Sequence, residues 1–173
     1  RAAAGQPGQT MVNGPGDGYD FAHSRAYVKA SLAQVWAAMQ DPAVCRIHGT
    51  NSWNVTATGV EPFPMSFVIH YTAGKWSIYV DWEITYRGGV LESAQDGTPL
   101  AHGIRAQKTW GTSYIGIQSI SVGARPVAGQ TSVVELEMVF WLHATNSSAA
   151  DAAGALTYFY TGLLASVHGQ PVP

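Results

Sequence analysis

The chain has 173 residues, a formal charge of −2 and charged side chains at only 12% of its positions. That length can bury a sizeable core, and the shortage of positive charge argues against nucleic acid as a partner, because phosphate binding needs a basic patch. No run of eighteen apolar residues occurs, so no transmembrane segment is expected, and the lone Cys45 excludes an internal disulfide and reads as a small buried hydrophobe.

Residues 1–18 contain Gly5, Pro7, Gly8, Gly14, Pro15, Gly16 and Gly18 and are expected to form a flexible tail, leaving 19–173 as a single domain. The sequence begins at Arg1 rather than Met; a processed export signal or a trimmed chain would each account for that. A tail before a low-charge domain suits an exported or periplasmic protein, although an ordinary disordered terminus explains it equally well.

Residues 26–30 read as a short strand. Ser31 and Gln34 then form a capping box for a helix in which Leu32, Val35, Trp36 and Met39 recur at helical spacing. Asp41-Pro42 ends it, because the residue before proline avoids the α region. Residues 43–49 have room for a second short helix, and residues 54–58 for a strand.

Residues 65–86 carry the strongest hairpin pattern, with Ala73-Gly74 between two alternating runs. Pairing Thr72 with Lys75 sets Tyr71 against Trp76, Ile69 against Ile78, Phe67 against Val80 and Met65 against Trp82, all on one face that Ile84 and Tyr86 extend. His70, Ser66 and Asp81 lie on the opposite, wet face, and this register keeps His70 and Asp81 too far apart to pair. Three more strands are expected at 102–110, 114–122 and 131–143. In the last, Leu136, Met138, Phe140 and Leu142 alternate with Glu135, Glu137, Trp141 and His143. Glu135 and Glu137 share a face that reads as solvated surface rather than a carboxylate pair.

Residues 147–168 form the longest element, a helix of about six turns. Asn146, Ser147 and Ser148 offer cap oxygens, Asp151 complements the dipole, and Gly169 with Pro171 stops the helix. Ala149, Ala152, Ala153, Leu156, Phe159, Tyr160, Leu163 and Val167 make one broad apolar stripe, weakened by Gly154 and Gly162. Strands followed by one long helix give an α+β class, with the helix on one face of a strongly curved antiparallel sheet. A cavity between two surfaces of large side chains is the natural consequence.

Ala30-Ser31, Val35-Trp36 and Asp41-Pro42, followed by this order of elements over residues 24–169, resemble the START/Bet v 1-like (SRPBCC, polyketide cyclase-related) superfamily. The resemblance implies a helix-grip fold, a curved sheet wrapped around the C-terminal helix with a hydrophobic cavity between them. It also implies a lipid, sterol, hormone or polyketide ligand, with enzymes as a minority. It carries over no catalytic residue, since the superfamily has no fixed catalytic motif.

The expected ligand-binding residues are the inward face: Phe67, Ile69, Tyr71, Trp76, Ile78, Val80, Trp82, Ile84, Tyr86, Met138, Phe140, Phe159, Tyr160 and Leu163. Six Trp and eight Tyr in one domain favour an aromatic-lined pocket, although each inward residue taken alone reads better as ordinary core. His23, His48, His70, His102, His143 and His168 are scattered without metal-ligand spacing, so no metal and no cofactor is expected. No nucleophile motif or dinucleotide loop occurs.

The leading expectation is carriage or sensing of a hydrophobic small molecule. The alternative is a cyclase or dehydratase in the same cavity, with Lys108, Tyr71, Tyr86 and Gln118 as acid–base candidates. A third reading uses Tyr158, Thr161 and Ala165 on the outer side of the last helix as an interaction face. The oligomeric state is left open.

Overall fold

The structure is a computed structural model that describes residues 8–75 and 78–173. In chain order the elements are β1 (Gln9–Pro15), β2 (Asp20–Val28), α1 (Leu32–Met39), a 3-10 turn (Pro42–Cys45), β3 (Ser52–Thr58), β4 (Met65–Lys75), β5 (Ile78–Ser93), β6 (Pro99–Gly111), β7 (Ile115–Val127), β8 (Gln130–Ala144) and α2 (Ala149–Val167). All eight strands form one antiparallel sheet in the order β1-β2-β8-β7-β6-β5-β4-β3. With α2 on one face, this is the α+β helix-grip architecture.

The helices follow their sequence signals. Ser31 Oγ accepts the Gln34 backbone N–H at 3.3 Å, and the Gln34 side chain accepts the Ser31 N–H at 2.9 Å. After Asp41-Pro42 the chain makes only a single 3-10 turn, where Asp41 Oδ1 accepts the Ala43 N–H at 2.9 Å. The helix expected at 43–49 is therefore shorter and begins earlier. The Asp151 carboxylate accepts the Ser148 N–H at 2.8 Å and so holds the start of α2. At its end Gly169 takes φ 65°, and the Gln170 N–H reaches back to Ala165 O at 2.8 Å. At Gly162 a Cβ would stand 3.3 Å from Val172 Cγ1, a tight approach, and 3.6 Å from Val44 O, an ordinary contact with the 3-10 turn.

Two expectations require correction. Residues 9–15, expected inside a flexible tail, form an edge strand paired with β2 from Gln9 and Ala26 to Pro15 and Asp20. The glycines and prolines there hide an alternation that buries Gln9 and Met11 against the sheet. The Gln9 side-chain amide donates to Ser24 Oγ at 2.9 Å, and that of Asn13 donates to Ala149 O at 2.8 Å, tying the strand to the first residue of α2. Pro15 sits at the end of an edge strand, where its missing N–H costs no ladder bond.

The β4–β5 register is the second correction. Thr72 pairs with Asp81 rather than Lys75, and Tyr71 with Trp82 rather than Trp76; Ile69 faces Ile84, Phe67 faces Tyr86 and Met65 faces Gly88. Ala73-Gly74 lies inside the strand, not at its turn. The shift moves the pairing by an even number of residues, so the faces survive. Met65, Phe67, Ile69, Tyr71, Trp82, Ile84 and Tyr86 are all buried together. The observed register wins by stacking rings: Tyr71 on Trp82 at 5.4 Å between centroids, Phe67 on Tyr86 at 5.1 Å. It also brings His70 opposite Glu83, with Nδ1 and Oε1 3.6 Å apart.

Candidate functional site

The helix α2 packs closest on β1, β2 and β8. Ala152, Ala153, Leu156, Phe159, Tyr160 and Leu163 are its buried residues, and the Tyr160 hydroxyl donates to Tyr27 O on β2 at 2.8 Å. The opposite flank of the helix therefore stands away from β5, β6 and β7. Two adjoining spaces open beneath it. An inner chamber of about 30 Å³ is walled by Ile84 and Tyr86 from β5, Ala106 from β6, Gln118 to Ile120 from β7, Phe140 from β8, Ala155 and Phe159 from α2, and Cys45 to His48. An open cleft of about 820 Å³ continues along α2 past Gly154, Tyr158 and Thr161, with Trp82, Ile115 and Leu142 on the sheet side. Ile47, His48, Gln118, Phe140 and Ala155 line both and form the junction. Gly154 faces open space, with nothing within 4 Å of where its Cβ would be.

The expected ligand residues divide between these spaces and the core. Ile84, Tyr86, Phe140 and Phe159 line the chamber, and Trp82 and Phe140 line the cleft. Ile69, Tyr71, Met138, Tyr160 and Leu163 are fully buried in the hydrophobic core and border neither space; Phe67 is buried beside them under the Tyr86 ring. Val80 is half-buried against the same core. Trp76 lies outside the described residues, as does the side chain of Ile78. Cys45, Ile47, His48 and Ala155 were not on the expected list. The first three precede β3 in a turn whose position over the sheet has no periodic signature. Ala155 lies beside the apolar stripe rather than in it. Tyr158 and Thr161, read from sequence as an outer interaction face, line the cleft instead.

The chamber has a polar network in its wall. The Tyr71 hydroxyl donates to Cys45 O at 2.7 Å and lies 2.8 Å from the Tyr86 hydroxyl, which is 3.3 Å from the same carbonyl. Both hydroxyls reach the Cys45 carbonyl, and either can donate in the bond between them. Burial, reinforced by neighbouring groups, holds both phenols well above their ordinary value. Burial, and then the Asp41 carboxylate, pushes the Cys45 thiol up as well, so this cysteine is a poor nucleophile. A phenol whose value is raised by folding stabilises the protein below its unfolded value of about 10 and loses that contribution as pH rises. Urea unfolding between pH 9 and 11 is therefore expected to show falling stability, with a shallower fall in Tyr86→Phe; identical slopes would remove the phenol pair as the cause.

Lys108 lines neither space. Its ammonium donates to the carbonyls of Gly111, Thr112 and Ile115 at 3.3, 3.0 and 2.5 Å, closing the β6–β7 connection. Glu135 and Glu137 sit on the far face of the sheet, where Glu135 accepts from the Tyr27 hydroxyl at 2.8 Å and Glu137 lies 3.1 Å from His23.

Known structures share this fold. The chain is similar to the lipid transfer and protein localization domain of human StarD13, at 8% identity over 98% of this chain and 87% of that one, with a TM-score of 0.62. A STAR-related lipid transfer protein from Xanthomonas axonopodis matches at 13% identity over 98% and 96%, with a TM-score of 0.59. The Zhui aromatase/cyclase from a Streptomyces species matches at 11% over 87% and 92%, with a TM-score of 0.51. Identities this low show the fold alone: the chain has the helix-grip fold that these structures share. No family model and no curated protein matches the sequence.

Proposed function

We propose that this protein binds a hydrophobic small molecule of the lipid, sterol or polyketide kind in the space between α2 and strands β5 to β8, and carries or senses it. The observation that supports this is the open cleft of about 820 Å³ running into a chamber walled by Ile84, Tyr86, Phe140 and Phe159. A space of that size suits a small organic ligand, for which buried apolar contact is the main source of affinity. Lipid transfer and aromatase/cyclase are named for proteins that share the fold, which favours the same class of occupant here. Carriage is preferred to catalysis because the titratable candidates are already committed, Tyr71 and Tyr86 to Cys45 O and Lys108 to three carbonyls.

Native mass spectrometry after mild purification, followed by organic extraction, is expected to reveal a bound apolar molecule or uptake of one from a lipid, sterol and polyketide panel. A protein that repeatedly carries nothing and takes up no panel member does not have this function.

A further inference from the structure

The wall shared by cleft and chamber is apolar except for a few groups, and one of them has no partner. Gln118, on β7, is only 5% exposed and lines both spaces, yet its Oε1 accepts no hydrogen bond among the described residues. Its neighbour Ser119 is satisfied, donating to Ala106 O at 3.1 Å. On the same sheet wall, on β5 with β6 between, Trp82 is 3% exposed and its indole Nε1–H is likewise without a partner among the described residues. An orphaned buried polar group costs stability, and a fold keeps one where something else completes it. A primary amide offers an acceptor and two donors, and a rotation of the amide plane exchanges them.

Resting on the binding function proposed above, we infer that Gln118 is the polar anchor of the site and selects apolar molecules bearing a hydroxyl at their inner end over pure hydrocarbons. A hydroxyl donates to the amide oxygen or, with the amide plane turned, accepts from its N–H. A hydrocarbon leaves the amide oxygen unpaired, whereas a hydroxyl supplies the missing bond. Discrimination therefore comes as much from rejecting the hydrocarbon as from holding the alcohol.

The test uses 2-naphthol and 2-methylnaphthalene, matched in shape and differing in the hydroxyl, measured by displacement of a bound anilinonaphthalene sulfonate dye from the wild type, Gln118→Leu and Gln118→Met. The ratio of the two dissociation constants cancels any general loosening of the site. The preference for 2-naphthol is expected to fall about tenfold in both variants, the size of one buried hydrogen bond, with 2-methylnaphthalene bound as well as before or better. If the Leu variant fails to fold, the Met variant carries the measurement. An unchanged ratio in a variant that still binds both probes overturns the role of Gln118 and leaves the binding function standing. Failure of dye and both probes to bind the wild type removes the binding function itself.

Discussion

Leu163→Ala is expected to lower the unfolding free energy by about 3–4 kcal/mol, while Phe159→Ala, the larger truncation, is expected to cost only about 2–3 kcal/mol. Both residues lie on the inner side of α2, four positions apart. Leu163 has no exposure and packs wholly within the core, so removing its side chain leaves a cavity that the fold cannot close. The Phe159 ring, 6% exposed, borders the inner chamber and already lacks neighbours on that side, so fewer contacts are lost. Urea unfolding of the two variants measures the difference. A Phe159→Ala cost equal to or above that of Leu163→Ala would mean that the helix closes a solid core, with no space left to admit a ligand.

Deletion of residues 1–15 is expected to cost more than about 3 kcal/mol, the sum of burying one large apolar side chain and forming a few hydrogen bonds. Met11 is 4% exposed, Asn13 bonds the first carbonyl of α2, and seven ladder positions on β2 lose their neighbour. A disordered tail would leave stability within about 1 kcal/mol of the full chain, because polar Gly-rich chain buries little. Chemical denaturation of the shortened protein distinguishes the two outcomes.

Much of the architecture was legible because it rests on local signals. The Ser31–Gln34 box, the Asp41-Pro42 stop, the alternation in β4, β5 and β8 and the apolar stripe of α2 each arise from side chains close in sequence. β1 was not legible, because an edge strand need satisfy only one neighbour and its sequence can stay rich in glycine and proline. The β4–β5 register was missed for a different reason. Alternation fixes which face is buried, but pairings that differ by an even number of residues satisfy it equally, and the choice between them falls to ring stacking such as Tyr71 on Trp82. The site was only partly legible. Periodicity identified Ile84, Tyr86, Phe140 and Phe159 as inward, but it could not separate them from Ile69, Met138 or Leu163, because the division depends on which way α2 leans. Gln118 drew notice only as an inward polar residue; its orphaned oxygen is a property of its surroundings.

The strand order also governs how the chain must assemble. Every neighbouring pair from β3 to β8 joins strands adjacent in sequence, so that part of the sheet can grow as each hairpin is made. β2 cannot join this way: Val28 pairs with Val134 and Asp20 with Leu142, at the other end of the chain. During synthesis β1 and β2 emerge first and wait for β8, the last strand made, before they have a sheet to join. Closing so long a loop is a slow step, and until it happens an apolar strand pair stands with an unpaired edge. Met11, Ala22, Ala26 and Val28 belong to that early pair, which makes β1 and β2, made before the strand they join, the part of the sheet most in need of protection from pairing with another chain.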